Sequence, residues 1–242
     1  RMSLDTYKTQ GRGGKGIIGS STKEDDFIEH MFVASTHDYL LVFTNRGICH
    51  WLRVFNIPSM SRQSKGRNIA NLLSLGGQSV TSIINVDNFD ERQLVMASRN
   101  GYIKKTVLSA YGNPRSSGLI AVKIEPSDDL IGVAITSGDD EIVLGTENGM
   151  AIRFSEKDVR SMGRNSRGVT GIKLRDGDHV VGMVIAEEGI SLLTVCEKGY
   201  GKRTDLEEDR LQSRAGLGII NIKTTARNGK VVALKAVRGC ED

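Results

Sequence analysis

The sequence repeats itself at intervals of about 50 residues, and every repeat carries a basic loop built around a glycine. The glycines of these loops are Gly16, Gly66, Gly118, Gly168 and Gly218. An arginine precedes each glycine by three or four residues, at Arg12, Arg62, Arg115, Arg164 and Arg214. A period this regular indicates one supersecondary unit used several times within a single domain. We place the repeats approximately at residues 1–36, 37–88, 89–138, 139–188 and 189–242.

A second set of glycines predicts a β-hairpin in each later repeat. Gly47, Gly101, Gly149 and Gly199 each follow a short apolar run and a polar pair, and a second strand-like segment follows each glycine. Because glycine accepts positive φ, the pattern is typical of a strand, a tight turn and a strand. Two more apolar runs follow the basic loop, one of them directly after the loop glycine. The pattern therefore predicts four strands per repeat, with helix only as single turns near 155–162 and 205–211.

Four-stranded sheets of this kind favour a propeller-like arrangement, which buries their faces against one another and protects their edges. Positive charges fixed to every repeat would then lie at regular intervals around the assembly. Such a surface favours a long polyanion as the ligand rather than a small molecule. The repeat alone leaves open a protein-interaction propeller whose basic loops are only solvated.

Composition sets broad limits on the class of protein. The chain has 242 residues, a net charge of +4 and a pI of about 9.0, so the clustering of its cations matters more than their number. Three unclustered cysteines imply no disulfide framework, and the apolar runs are too short for a membrane span. The histidines show no metal-ligand spacing, and Gly11, Gly13 and Gly16 match a dinucleotide motif without the helix that this motif requires. We identify no catalytic residue and no metal site, and we expect a cytosolic chain.

The first basic loop is the most concentrated, and it identifies a family. Its sequence is Gln10-Gly11-Arg12-Gly13-Gly14-Lys15-Gly16. It resembles the heptad box that marks the C-terminal domain of the bacterial DNA gyrase A protein, which reads Gln, basic, Arg, Gly, Gly, basic, Gly. The segments MSLDTYKTQ, SRQSKGRNIANLL and MGRNSRGVTGIKL also resemble that family, so the likeness covers essentially the whole chain. The departure is Gly11, where the family carries a basic residue.

The resemblance implies a β-pinwheel, which is a propeller-like disc whose neighbouring blades exchange strands. It also implies that the domain wraps double-stranded DNA around its rim in a right-handed sense. In the family, this wrap lets ATP-driven strand passage introduce negative supercoils. The implied partners are DNA, the N-terminal cleavage domain of gyrase A and the gyrase B protein, in a bacterial cytoplasmic enzyme that contains two copies of each protein.

The resemblance implies no cofactor in this domain, because the ATP and Mg²⁺ sites and the catalytic tyrosine lie elsewhere in the enzyme. A topoisomerase IV C-terminal domain is the alternative within the same class, although that family lacks an intact box. The protein-interaction propeller remains the alternative from a different class.

The resemblance and the repeat together give a set of candidate DNA contacts. In the box they are Gln10, Arg12, Gly13, Gly14, Lys15 and Gly16. In the later loops they are Arg62, Lys65, Arg67, Arg115, Arg164, Arg167 and Arg214. On the strands they are Lys104, Lys105, Arg153, Lys202 and Arg203, for which the alternative is an exposed charge that guards a sheet edge. Trp51 occupies a position where other repeats place a cation, and we interpret it as a packing residue.

The repeat alignment also predicts the position of the first residue and of the loops. Arg1 aligns with Arg203, four residues past a turn glycine, so the first repeat begins partway through its hairpin. We expect the basic loops to follow one continuous path along the outer rim of a disc or open ring.

Overall fold

The computed structural model describes residues 1–6, 31–61 and 64–238. These residues form β-strands joined by turns and short 3₁₀ helices. The strands are β1 Tyr39–Thr44, β2 Ile48–Arg53, β3 Val80–Val86, β4 Gln93–Ser98, β5 Tyr102–Val107, β6 Leu119–Ile120, β7 Leu130–Thr136, β8 Glu141–Thr146, β9 Met150–Ser155, β10 Val169–Thr170, β11 Val180–Ala186, β12 Ile190–Cys196, β13 Gly201–Asp205, β14 Ile219–Ile220 and β15 Val231–Arg238. The 3₁₀ helices are Leu4–Thr6, Val54–Asn56, Ile69–Asn71, Leu108–Tyr111, Glu156–Asp158 and Leu206–Glu208.

The strands form antiparallel sheets that share strands between neighbouring repeats. The sheet orders are β3-β1-β2-β6, β10-β5-β4-β7 and β11-β8-β9-β14, followed by a three-stranded sheet β13-β12-β15. In each four-stranded sheet, the two-residue outer strand comes from the repeat that follows the other three. Strand β10, for example, pairs with β5 through Val169 opposite Ile103. This exchange confirms the all-β pinwheel that the sequence predicts.

The hairpins form where the turn glycines predict them. Gly47, Gly101, Gly149 and Gly199 all have positive φ, at 75°, 83°, 85° and 78°. Each turn closes with a short backbone bond, such as the one from Gly101 N–H to the Ser98 carbonyl at 3.0 Å. The single helical turns predicted near 155–162 and 205–211 are also confirmed, as 3₁₀ helices.

The apolar runs of the central strands are continuous because each central sheet is covered on both faces. Successive strand residues point to opposite faces. In β4, Leu94 and Met96 pack with the first sheet, whereas Val95 and Ala97 pack with the third sheet. All four are almost fully buried. The core is therefore a series of apolar layers between sheets.

The two ends of the strands define two faces of the molecule. We call the end that carries the turn glycines the hairpin face, and the end where the chain passes to the next sheet the linker face. In β4, Ser98 lies at the hairpin face, opposite Leu130 of β7. Gln93 lies at the linker face, opposite Thr136, where β7 ends and the linker to β8 begins. Every linker leaves one sheet and enters the next at this same end, so the hairpin face and the linker face each run across all the sheets. The innermost strands β3, β7, β11 and β15 contact one another in succession.

One predicted strand is wrong, namely the one expected directly after the loop glycine Gly66. The apolar run from Ile69 to Leu75 forms a 3₁₀ helix over Ile69–Asn71, with the Asn68 side chain accepting from Ala70 N–H at 2.9 Å. Outer strands such as β6 form by pairing with the sheet of the preceding repeat. No strand of the first repeat occurs within the described ranges, so this run pairs with no sheet edge there.

Candidate nucleic-acid interface

The described basic loops of the later repeats lie at the outer edges of the sheets. Each leads directly into an outer strand, with Arg115 before β6, Arg164 before β10 and Arg214 before β14. The loop glycines place the loops against the preceding sheet. A Cβ on Gly168 would lie 2.5 Å from the Ile103 carbonyl oxygen, and φ at this glycine is 102°. Only glycine allows so close an approach in this conformation.

The loop arginines differ in how far they extend from the surface. Arg115 is exposed. Arg167 is also exposed, and its guanidinium carbon lies 3.9 Å from the ring centroid of Tyr102, which is a cation–π contact. Arg164 is half-buried. These three place positive charge on two adjacent sheet edges.

Arg214 fixes its loop to the preceding repeat. Its Nε donates to the Asp158 carbonyl at 2.9 Å and its Nη1 donates to the Thr170 carbonyl at 3.0 Å. Both acceptors are backbone groups, so the charge of the guanidinium is not neutralised by these bonds. These two hydrogen bonds therefore hold the Arg214 guanidinium, a predicted DNA contact, in a defined position.

The remaining loop candidates divide between described and undescribed residues. Lys65 and Arg67 are exposed. Arg62 and the heptad box, with Gln10, Arg12, Gly13, Gly14, Lys15 and Gly16, lie outside the described residues, and their roles stay predictions.

The strand position four residues past each turn glycine has a structural function. Its side chain donates to a backbone carbonyl at or beside the 3₁₀ helix of the following repeat. Trp51 Nε1 donates to Tyr111 at 2.9 Å, Lys105 Nζ to Glu156 at 2.9 Å, and Arg153 Nη1 to Leu206 at 2.8 Å. We call these side chains the seam donors. The packing interpretation of Trp51 is confirmed, because it also packs against the first core cluster.

The equivalent position is occupied by Arg1 in the first repeat and by Arg203 in the last. Arg1 Nε donates to the Ile57 carbonyl at 2.8 Å, just after the 3₁₀ helix of the second repeat, which supports the alignment of Arg1 with the seam donors. Arg203 is exposed and makes no hydrogen bond or ion pair with any described residue. Lys105 and Arg153 are thus occupied in joining repeats, whereas Arg203 is left at the surface.

Lys104 lies inside the structure and not at a sheet edge. It is 1% exposed, and its Nζ donates to the Ala121 carbonyl at 2.5 Å and to the carbonyl of Arg164. Burial, with a smaller contribution from the Arg164 charge, lowers the pKa of Lys104 to about 7. The side chain joins the outer strand of one repeat to the basic loop of the next. In this position it cannot reach a DNA phosphate.

Lys202 remains accessible. It is exposed, its Nζ lies 3.5 Å from the Asn221 carbonyl, and it is 3.9 Å from the Glu208 carboxylate. The strand cations therefore divide into the buried or seam residues Lys104, Lys105 and Arg153 and the accessible residues Lys202 and Arg203.

The candidate contacts predicted from the sequence do not include three exposed lysines that follow the outer strands. They are Lys123, Lys173 and Lys223, each just after an outer strand. The backbone N–H of Lys123 donates to the Ser166 carbonyl at 3.1 Å, and that of Lys173 donates to the Gly216 carbonyl at 2.8 Å. Each acceptor belongs to the basic loop of the next repeat. The spacing of 50 residues between these lysines could have identified them in the sequence. Acidic neighbours such as Glu125 and Asp176 masked it, because they make these segments look uncharged overall.

The described ranges contain no group of His, Cys, Asp and Glu side chains that could hold a metal ion. Within the same ranges, no helix has the length and apolar character needed to cross a membrane.

Comparison with a family model gives a match along most of the chain. The matching family is described as "DNA gyrase C-terminal domain, beta-propeller", and the matched segments are 1–35, 38–87, 92–137, 140–187 and 191–238.

Curated relatives agree with this match. The DNA gyrase A protein of Haloquadratum walsbyi is 47% identical over 174 residues, covering 69% of this chain and 20% of that protein. The DNA gyrase A protein of Clostridium acetobutylicum is 48% identical over 170 residues, with 69% and 20% covered. The chain thus spans about a fifth of the length of these relatives.

Solved structures of two kinds are similar in fold. A DNA gyrase A C-terminal domain matches with a TM-score of 0.74 and 29% identity, covering 97% of this chain and 78% of that one. The C-terminal domain of a DNA topoisomerase IV matches with a TM-score of 0.78 and 27% identity, covering 84% and 64%.

Proposed function

The chain belongs to the DNA gyrase C-terminal domain family, and from that premise we propose that it binds double-stranded DNA along the outer edges of its sheets and wraps the duplex around them. The contacts are made with the phosphates and carry little sequence preference. The chain contributes no catalytic residue and no cofactor of its own to this function.

The observation that carries the proposal is the repeated position of the basic loops. Arg115, Arg164 and Arg214 each precede an outer strand, so their loops occupy the same place on successive sheets. One duplex running past the outer edges would meet them in turn. No described helix is long enough to enter a groove and read bases, which fits contact through phosphates.

Several spaced contacts are needed because bending DNA is costly. Smooth bending of a site of 20–30 base pairs costs on the order of 1–6 kcal/mol. Counterion release at each neutralised phosphate offsets this cost, and the offset grows with the number of contacts. The glycines of the loops let backbone N–H groups approach phosphate oxygens without intervening side chains.

The larger function is a proposal about a longer protein. As part of a gyrase A protein, the domain would wrap DNA in a right-handed sense and present a segment for ATP-dependent strand passage, which produces negative supercoils. The cleavage domain of gyrase A, the gyrase B protein, ATP and Mg²⁺ would act in that assembly in the bacterial cytoplasm. The heptad box, with Arg12 and Lys15 as its cations, would capture the wrap.

The structural likeness to a topoisomerase IV domain favours a second candidate in the same class. Such a domain would select DNA geometry with weaker wrapping. The gyrase interpretation is supported by the heptad box and by the identity of 47% and 48% to gyrase A relatives.

Salt titration of duplex binding tests the proposal. We expect affinity to fall steeply with salt and to vary little between sequences. Arg115→Gln with Arg167→Gln should make the slope of log K against log[salt] shallower by about 1.8, or about 0.9 per lost contact. Lys157→Gln with Lys235→Gln removes the same charge away from the outer edges and should leave the slope nearly unchanged. A salt-independent affinity, or equal effects of both pairs, would support the protein-interaction propeller instead.

A further inference from the structure

The two faces of the molecule differ in charge. The linker face carries the exposed acids Asp87, Glu91, Asp139, Glu187, Glu188, Asp205, Glu207 and Glu208. Three cations at this face are paired with such acids, in Arg92–Asp87 at 2.9 Å, Lys157–Asp139 at 2.8 Å and Arg238–Glu187 at 2.5 Å. A duplex at the outer edge would therefore be repelled from the linker face.

The hairpin face instead carries a row of exposed lysines next to the basic loops. We call Lys123, Lys173 and Lys223 the lysine row. Their side chains make no hydrogen bond or ion pair with another described residue, so their charges are available to a ligand.

The backbone of the lysine row is held in place from both sides. Two residues before Lys173, the Gly171 N–H donates to the carbonyl of turn glycine Gly101 at 2.8 Å. Lys173 N–H itself donates to the Gly216 carbonyl in the loop that carries Arg214. The same pair of bonds recurs one repeat earlier, where Ala121 N–H donates to Gly47 at 2.8 Å and Lys123 N–H donates to Ser166. Lys123 and Lys173 thus each have a fixed place beside the basic loop of the next repeat, and the segment of Lys223 shares the first bond, from Asn221 N–H to Gly149 at 2.9 Å.

We propose that Lys123, Lys173 and Lys223 form a second row of phosphate contacts, which holds the duplex toward the hairpin face of the outer edge. This inference rests on the proposed DNA-binding function and adds the path of the duplex to it. A lysine ammonium is a suitable phosphate partner, because it acts as a point charge without a fixed geometry. The loop arginines and the lysine row would contact the duplex together, while the acids of the linker face exclude it.

The test compares two double variants that lose the same charge. Lys123→Gln with Lys173→Gln should make the slope of log K against log[salt] shallower by about 1.8 and weaken binding at low salt by roughly tenfold or more. Lys157→Gln with Lys235→Gln should leave both values close to those of the original protein. Lys123→Arg with Lys173→Arg keeps the charge and should restore the slope, and thermal unfolding of each variant verifies that it is folded.

The outcomes separate this inference from the function on which it rests. If the original protein binds DNA with a steep salt dependence but both glutamine pairs leave the slope unchanged, the lysine row is only solvated and the inference is wrong. Equal shallowing by both pairs would also overturn it, because the effect would then come from net charge. If the original protein shows no salt-dependent binding at all, the proposed function itself fails.

Discussion

The Nη1 of Arg153 lies 2.8 Å from the carbonyl oxygen of Leu206, and this bond joins the third sheet to the 3₁₀ helix of the following repeat. The same guanidinium pairs with Glu141 through Nε at 2.5 Å. We predict that Arg153→Ala lowers the free energy of unfolding by about 1.5–3 kcal/mol, because it removes charged hydrogen bonds from a half-buried seam. Urea denaturation measures the change.

Arg203 provides the matched control, because it occupies the same repeat position without a partner among the described residues. Arg203→Ala should change the free energy of unfolding by less than about 0.5 kcal/mol. Equal losses in the two variants would show that the seam bond of Arg153 does not stabilise the fold.

The turn glycines provide a second matched pair. Gly149 has φ of 85°, and a Cβ there would lie 2.0 Å from the Ile222 carbonyl oxygen. Gly199 has φ of 78° with nothing within 4 Å of the added atom. We predict that Gly199→Ala costs about 1–2 kcal/mol for the left-handed backbone, and that Gly149→Ala costs at least about 2 kcal/mol more. Similar midpoints in chemical denaturation would contradict the close contact between Gly149 and the Ile222 backbone, which follows the exchanged strand β14.

Burial of Lys104 predicts a specific pH dependence of stability. Its pKa is about 7 in the folded protein against an ordinary value of 10.5, so between these values the unfolded chain binds more protons. The free energy of unfolding therefore rises with pH across this window through Lys104. Relative to Lys104→Met, the original protein should gain roughly 2 kcal/mol between pH 7 and pH 9. Parallel stability curves for the two proteins would show that Lys104 does not titrate in this range.

The sequence is sufficient to predict the hairpins, because a turn that needs positive φ leaves a glycine at a fixed place in every repeat. The heptad box likewise predicts the family and the pinwheel. The sequence did not predict the roles of Lys104 and Lys105, since charged residues on a strand usually indicate an exposed face. Both faces of this sheet are covered, so Lys104 meets backbone carbonyls of adjacent loops and Lys105 meets the next repeat.

The seam donors show a further limit of sequence interpretation. Trp51, Lys105 and Arg153 perform the same task with an indole, an ammonium and a guanidinium. What they share is at least one N–H donor far out on a long side chain, and no residue-type pattern reveals that property. The lysine row was missed for a different reason, because acidic neighbours such as Glu125 and Asp176 masked its spacing of 50 residues.

The heptad box carries a prediction of its own. On the proposed function, Arg12→Ala with Lys15→Ala in a full-length gyrase A protein that carries this domain should abolish negative supercoiling. ATP-dependent relaxation and decatenation should remain, because the proposal assigns strand passage to residues outside this chain. Gel assays of the three activities measure this separation. Retained supercoiling would show that these two cations do not capture the wrap.

Ligation of nicked plasmid in the presence of this protein tests the central claim most directly. A duplex wrapped in a right-handed sense carries positive writhe, which ligation converts into a change of linking number that persists after the protein is removed. The account predicts a positive shift that grows with the ratio of protein to DNA and disappears at high salt. An unchanged linking number at saturating protein, or a negative shift, would contradict right-handed wrapping by this chain.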